Sequence, residues 1–429
     1  FHPQPATPDP LWSRGLGDVY KRQTNSSRWI LASLILFGHT IKHIYVSALN
    51  VTLLPNIKQS LNLNSTTYGS VNLAGRITSM STTFFSGFLG DKYARRSGTL
   101  LGISLFISGL SYLMLSYSDT ILLLTVSMLI GGIGPSMYHA PALATLAKKF
   151  PERQAFALSL HGTGGSLGET LGPLIFGSLL ISTLLIGWEQ AMRISSVIPI
   201  VVGISGGTAI NYFLRNDESK KVNLKDYYSG LQIIFTNKLL IILIIAAAIR
   251  GMGESALDTF LPVFFLENWK YSVNRIAIYK SLMRASGTIT QPILGLIVDK
   301  SSPLTLLIPS LLFLGFMCLT IPFINDINLL SVPLIPIVLL LMGIFEFSLQ
   351  TIFVSLGLDI ASVNKKQSED MKSTIVALMW GAMSLGLISP VIGGIIADNI
   401  GMQYTIIYSG LLILFSAVAL ILLKLRMPK

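Results

Sequence analysis

The chain has 429 residues, of which 51% are hydrophobic and only 12% charged, and its mean hydropathy is +0.65. A soluble domain carries about 25% charged residues, so this chain cannot coat a water-facing surface of its size; the apolar excess also excludes disorder. The net charge of +11 would suit a nucleic-acid surface or the cytoplasmic face of a membrane, and only its placement decides between them.

Residues 1–27 form a tail with four prolines among the first ten residues and no apolar core of a signal peptide. Its stretch Asp18 to Gln23 resembles the translation of a sequencing-adaptor end, so the natural chain is expected to begin near Thr24; the alternative is a genuine Pro-rich tail. A bilayer core about 30 Å thick needs about 20 mainly apolar residues per helix. Twelve stretches meet that need: span 1, Trp29 to Leu54; span 2, Tyr68 to Leu89; span 3, Thr99 to Tyr117; span 4, Ile121 to Ala147; span 5, Ala155 to Leu180; span 6, Met192 to Leu214. After a linker, residues 215–238, come span 7, Leu239 to Leu266; span 8, Asn274 to Val298; span 9, Leu304 to Ile324, holding the lone Cys318; span 10, Val332 to Leu356; span 11, Thr374 to Ala397; and span 12, Gln403 to Leu423. The expected fold is an all-α membrane protein with bundles at 28–214 and 239–429.

Cytoplasmic loops hold the excess of Lys and Arg. With both termini inside, 22 of the 31 basic residues fall on the cytoplasmic side, three (Lys58, Lys270, Arg275) outside and six within spans. That split places both termini in the cytoplasm and removes the nucleic-acid reading.

The halves repeat. Thr52 to Pro55 recurs as Thr259 to Pro262, and Gly87 to Lys92 recurs as Gly295 to Lys300, at offsets of 207 and 208. The second offset also matches Arg76 of span 2 to Arg284 of span 8, while Gly164, Pro173 and Gly177 match Gly381, Pro390 and Gly394 at 217. Duplicated bundles of this kind are common in transporters, and they predict two pseudo-symmetric six-helix bundles.

The segment Gly87 to Arg96, GFLGDKYARR, resembles the loop signature of the major facilitator superfamily, with Ala94 where a glycine is usual. Gly134 to Pro173 and Arg250 to Pro262 are similar to its fosmidomycin-resistance-type branch. Where that branch carries His-x-x-x-Asp in the first helix and His-Pro in the fourth, this chain has His39-x-x-x-His43 and His139-Ala-Pro141. The resemblance implies a secondary transporter whose spans 5 and 11 line the interface between bundles, and whose cytoplasmic gate is latched by Asp91 and Arg95, with Asp299 the repeat mate of Asp91.

An ionisable side chain at mid-membrane costs about 2.5–3.5 kcal/mol, so it normally faces a partner or a water-filled path. Arg250, Glu254 and Asp258 are spaced by four and share one face of span 7. Glu254 or Asp258 alternates between a proton and an ion pair, or the set is a permanent structural pair. Arg76 and Arg284 are related by the repeat and suit a carboxylate, phosphonate or other oxyanion across one cavity, unless each pairs with a buried acid such as Glu169 or Glu346. Lys42 and Lys280 snorkel or pair. His39 and His43 lie one turn apart and suit a proton relay or a polar filler; with His139 they give only a weak metal motif, and His161 is expected to pack or close the cytoplasmic end of span 5. The expected substrate-binding set is Arg76, Arg284, Arg250, His43 and Glu346, and the proton-coupling set Glu254, Asp258, His39 and Glu169.

No nucleotide loop, metal motif or nucleophile triad is present, so neither an enzyme nor a cofactor is expected. The expected function is proton-coupled export of a small organic solute by a monomer in the inner membrane of a prokaryote. Its alternatives are import or exchange of a small anion, and a non-transporting sensor on the same scaffold.

Overall fold

The computed structural model describes residues 11–150, 154–215, 237–298, 301–325, 327–362, 379 and 381–427. Among them, nine helices are long and apolar enough to cross a membrane. The other three expected positions, spans 2, 5 and 8, are filled by the helices Ser65–Lys92, Gln154–Pro173 with its π-helical continuation Leu174–Thr183, and Val273–Val298. These three carry Arg76, Glu169 and Arg284, and their positions in the packing explain the polarity.

Within the first half span 1 packs on span 5, span 2 on span 4 and span 3 on span 6; within the second, span 7 packs on spans 12 and 11, span 8 on span 10 and span 9 on span 12. The halves meet through spans 2 and 11 and through spans 5 and 8. The repeat exchanges these two interface pairs, so pseudo-symmetry seen in the sequence is also the symmetry of the packing. Spans 2, 5 and 8 tolerate charge because they have protein, not lipid, on a second side.

Local chemistry sets several helix starts. Asn64 accepts from Thr67 N at 2.8 Å, Thr120 from Leu123 N at 3.3 Å, and Asn237 from Leu239 N and Leu240 N at 3.0 and 3.3 Å, each satisfying donors that a helix N-terminus leaves open. Span 1 begins at Leu11, well before its apolar stretch, and continues through a π turn, Leu49–Leu53, into Leu54–Ser60. A two-stranded hairpin, Asn328–Leu329 with Val332–Pro333, precedes span 10, which therefore starts at Leu334. The first part of span 11 and nearly all of the linker lie outside the described residues.

Small residues bring span 5 onto span 1. A Cβ on Gly168 or Gly172 would sit 2.4 Å from the Thr40 or Ile44 carbonyl oxygen, so these glycines seat span 5 inside its own half. At the interface itself Gly177 faces Ala277 of span 8.

Buried apolar side chains form two clusters. The larger joins both halves at the end away from the termini, through residues such as Tyr45, Leu53 and Tyr68 with Phe260, Phe264 and Tyr271. The smaller, around Leu31, Ile35, Leu101, Tyr138 and Leu146, belongs to the first half alone and lies toward the termini. Among the described residues, apolar packing between the halves is thus concentrated at the end opposite the termini.

Candidate functional site: a charged seam between the halves

Helical periodicity puts Arg250, Glu254 and Asp258 on one side of span 7, but the structure divides their partners. Arg250 Nη2 donates to Glu254 Oε1 and, at 3.2 Å, to the Glu346 carbonyl oxygen; its guanidinium also lies 5.6 Å from the Phe353 ring centre. Asp258 instead meets span 8, with Lys280 Nζ at 3.2 Å and Arg284 Nη2 at 2.9 Å. The Glu346 carboxylate is buried nearby, with one oxygen lacking a hydrogen-bond partner.

The repeat-related arginines both end on span 7. Arg284 takes Asp258, while Arg76 Nη2 donates to the hydroxyl of the next residue, Thr259, at 3.3 Å. They do not form one symmetric fork. Arg284 also reaches across the interface, its Nη1 lying 3.7 Å from Glu169 Oε2 of span 5.

Glu169 opens the second part of the site. Its Oε1 is 3.1 Å from His43 Nδ1, an ion-pair distance with the ring off line for a hydrogen bond. Lys42 Nζ lies 3.1 Å from His43 Nε2 and 2.5 Å from His139 Nε2, and His139 Nδ1 lies 3.4 Å from His161 Nε2. His39 completes the cluster: Nδ1 donates to the His161 carbonyl oxygen at 2.8 Å, and the two rings stack with centroids 3.6 Å apart. Lys42 and Lys280 are 4% and 0% exposed, so both pair inside the protein and neither snorkels to the surface. Ligand atoms of His39, His43 and His139 come within 4.8 Å of one another, yet the Lys42 ammonium sits among them and opposes a second cation there. Spans 1, 4, 5, 7 and 8 therefore contribute to one polar seam.

The expected gate is only partly visible. Asp299 and the Asp91 side chain lie outside the described residues, and Arg95 donates to the Arg215 carbonyl oxygen of its own half at 3.0 Å. Two further contacts between halves, among the described residues, lie at the end away from the termini. Lys58 Nζ meets Glu267 Oε1 at 2.6 Å. Asp398, on span 11, accepts from Ser65 N at 2.8 Å, from Thr66 N at 2.7 Å and from Thr66 Oγ1 at 2.6 Å, so its carboxylate caps the N-terminus of span 2. Sequence reasoning missed Asp398, although the Gly-x-x-x-Asp spacing of Gly87/Asp91 and Gly295/Asp299 occurs a third time at Gly394/Asp398. Glycine one turn earlier lets the backbones close, since a Cβ on Gly394 would lie 2.3 Å from the Ser65 carbonyl oxygen.

Two helical bundles related by a repeat, joined along a charged seam within the membrane, define a multi-pass membrane transporter. The chain belongs to the Major Facilitator Superfamily, whose family model matches residues 35–386. It is 25% identical over 358 residues to the agnestins efflux protein AgnL12 of Paecilomyces divaricatus, covering 80% of this chain and 75% of that one. It is also 25% identical over 144 residues to the fosmidomycin resistance protein of Escherichia coli, 33% of this chain and 35% of that protein. The nucleoside transporter NupG has the same fold, with a TM-score of 0.74 at 13% identity over 93% of this chain and all of that one (100%). A bacterial homologue of the lysosomal transporter Spinster matches with a TM-score of 0.70 at 13% identity over 93% and 97% of the two chains. This is a transporter and not an enzyme.

Proposed function

We propose that this protein is a proton-coupled exporter of a small organic solute, working by alternating access in the inner membrane of a prokaryote with both termini in the cytoplasm. The observation that carries the reading is the Glu169 to Arg284 contact: an ionisable pair spans the two bundles where the seam is buried. Protonating one member changes the energy of that contact, and only such a difference between states lets a proton bias the two conformations. Export is supported by the efflux relatives. The bundles 28–214 and 239–429 rock about the seam. In the conformation described, the halves are joined at the end away from the termini, which the basic loops assign to the outside. Glu254 and Asp258 remain proton carriers in this reading, with Arg250, itself anchored on the Glu346 carbonyl oxygen, holding Glu254 in place.

A second reading, import or exchange of a small anion, draws on Arg76. Its hydrogen-bond partner is the neutral Thr259 hydroxyl, so a substrate oxyanion can engage the guanidinium without displacing a carboxylate from that bond. Purified protein in proteoliposomes, with an imposed pH gradient and fosmidomycin, ethidium or benzoate as probes, separates the readings. Gradient-driven flux of ethidium or fosmidomycin against its concentration supports export. Benzoate flux alone supports the anion reading, and no flux of any probe supports a sensor.

A further inference from the structure

Lys42 stands at the branch of the polar seam. Around its ammonium are His43 and His39 of its own helix, His139 of span 4, His161 and Glu169 of span 5 and, beyond Glu169, Arg284 of span 8. A charged ammonium carries only donors, so the 3.1 and 2.5 Å contacts require bare Nε2 atoms on His43 and His139. Each neutral ring then carries its proton on Nδ1. Those atoms face outward along the chain: His43 Nδ1 lies 3.1 Å from Glu169 Oε1 and His139 Nδ1 lies 3.4 Å from His161 Nε2. One assumption, a charged Lys42, therefore sets a consistent direction for the whole chain.

We propose that Lys42 is the proton-storing residue of this transporter, that it discharges through His43 onto Glu169, and that neutral Glu169 releases Arg284 of the opposite bundle. The inference rests on the proton-coupled reading above. In the discharge, one N–H bond of the Lys42 ammonium breaks and an Nε2–H bond forms on His43. A small ring rotation brings His43 Nδ1 into line, its N–H bond breaks and an O–H bond forms on Glu169 Oε1. The products are a neutral amine, a neutral imidazole protonated on Nε2, and a carboxylic acid; total charge is unchanged. Reloading resets the same ring: His43 Nε2–H passes to the Lys42 amine while a proton from water binds His43 Nδ1, which restores the ammonium and the Nδ1–H tautomer, and Glu169 stays neutral until its O–H proton leaves to water.

Loss of the carboxylate charge removes the Coulombic attraction across the interface of spans 5 and 8 and leaves Arg284 with Asp258 in its own half. The halves then part at the outer end and close at the inner end.

Paired spin labels at Gly162 and Ile293, in a Cys318→Ser background that removes the sole cysteine, report the inner distance by electron double resonance without any substrate. Lowering the pH from 8.5 to 5.5 is expected to shift the wild-type distribution to shorter distances. Lys42→Arg keeps a positive side chain that does not release its proton in this range, and its distribution is expected to stay at the pH 8.5 form. Glu169→Gln, a permanently neutral analogue, should give the short form at both pH values, and should do so in the Lys42→Arg background too. A Lys42→Arg protein that shifts like wild type overturns the proposal, as does a Glu169→Gln protein that keeps the wild-type pH response. Flux in the same variants keeps the two readings apart: gradient-driven ethidium flux in wild type that persists within twofold in Lys42→Arg removes the Lys42 role alone, whereas absent gradient drive in wild type removes the proton-coupled reading together with it.

Discussion

Arg284 Nη2 lies 2.9 Å from Asp258 of its own bundle while Nη1 lies 3.7 Å from Glu169 of the other. One guanidinium therefore holds an acid on each side of the seam, the near one at hydrogen-bond distance and the far one at ion-pair distance. That asymmetry makes the contact between bundles the weaker and the more readily exchanged. A double-mutant cycle with Glu169→Gln and Arg284→Gln, read as thermal stability of the detergent-solubilised protein, is expected to give a coupling energy of about 1–2 kcal/mol. Additive single effects would mean that the two charges do not act on one another.

The carboxylate cap at the end away from the termini, the outer end in the proposed orientation, gives a second expectation. Asp398→Asn retains the shape but removes the charge that faces three donors of span 2, a loss of about 1 kcal/mol for an N-terminal cap. The variant should spend more time open to the outside. Reactivity of a Tyr68→Cys probe, buried at the joined outer end, toward an impermeant maleimide is expected to rise several-fold. Lys58→Met should raise it further in combination, because Lys58 and Glu267 form a separate contact between halves. Unchanged labelling in the double variant would show that these contacts do not hold the outer end closed.

Most spans and the repeat could be read from the sequence because bilayer thickness acts on each helix singly. The i, i+4 pair Arg250 and Glu254 was legible for the same reason: both partners belong to one helix. Asp258 shares that face yet pairs with Lys280 and Arg284, because periodicity defines a face and not the neighbour it meets. Lys42 was visible as a buried charge, but its partners come from spans 4 and 5 as well as its own helix, and no spacing within one helix encodes that meeting. Repeat logic made Arg76 and Arg284 equivalent; Thr259 beside Asp258 on span 7 gave them different partners.

The glycines of span 5 should separate sharply by position. Gly168→Val puts atoms against the Thr40 carbonyl oxygen, where even a Cβ would stand at 2.4 Å, and overpacking of this kind costs about 1–3 kcal/mol. Gly162→Ala meets nothing within 4 Å. Melting of the purified variants by tryptophan fluorescence should show a clear loss for Gly168→Val and a change near zero for Gly162→Ala. Equal melting temperatures would mean that span 5 does not lie on span 1 as closely as described.

Arg76 offers the last test, because its hydrogen-bond partner is a neutral hydroxyl. Replacing a guanidinium that neutralises a carboxylate strands a buried charge and destabilises the protein strongly, by about 3–5 kcal/mol. Among the described residues Arg76 bonds to Thr259 Oγ1 at 3.3 Å and to no carboxylate, so the stability cost of Arg76→Gln should fall well below that of Arg284→Gln, which leaves Asp258 and Glu169 with less compensation. Under the anion reading, Arg76→Gln should still abolish benzoate binding measured by calorimetry, because the oxyanion loses its fork. If both variants melt alike and benzoate binding survives, Arg76 is a structural charge and the anion reading loses its support.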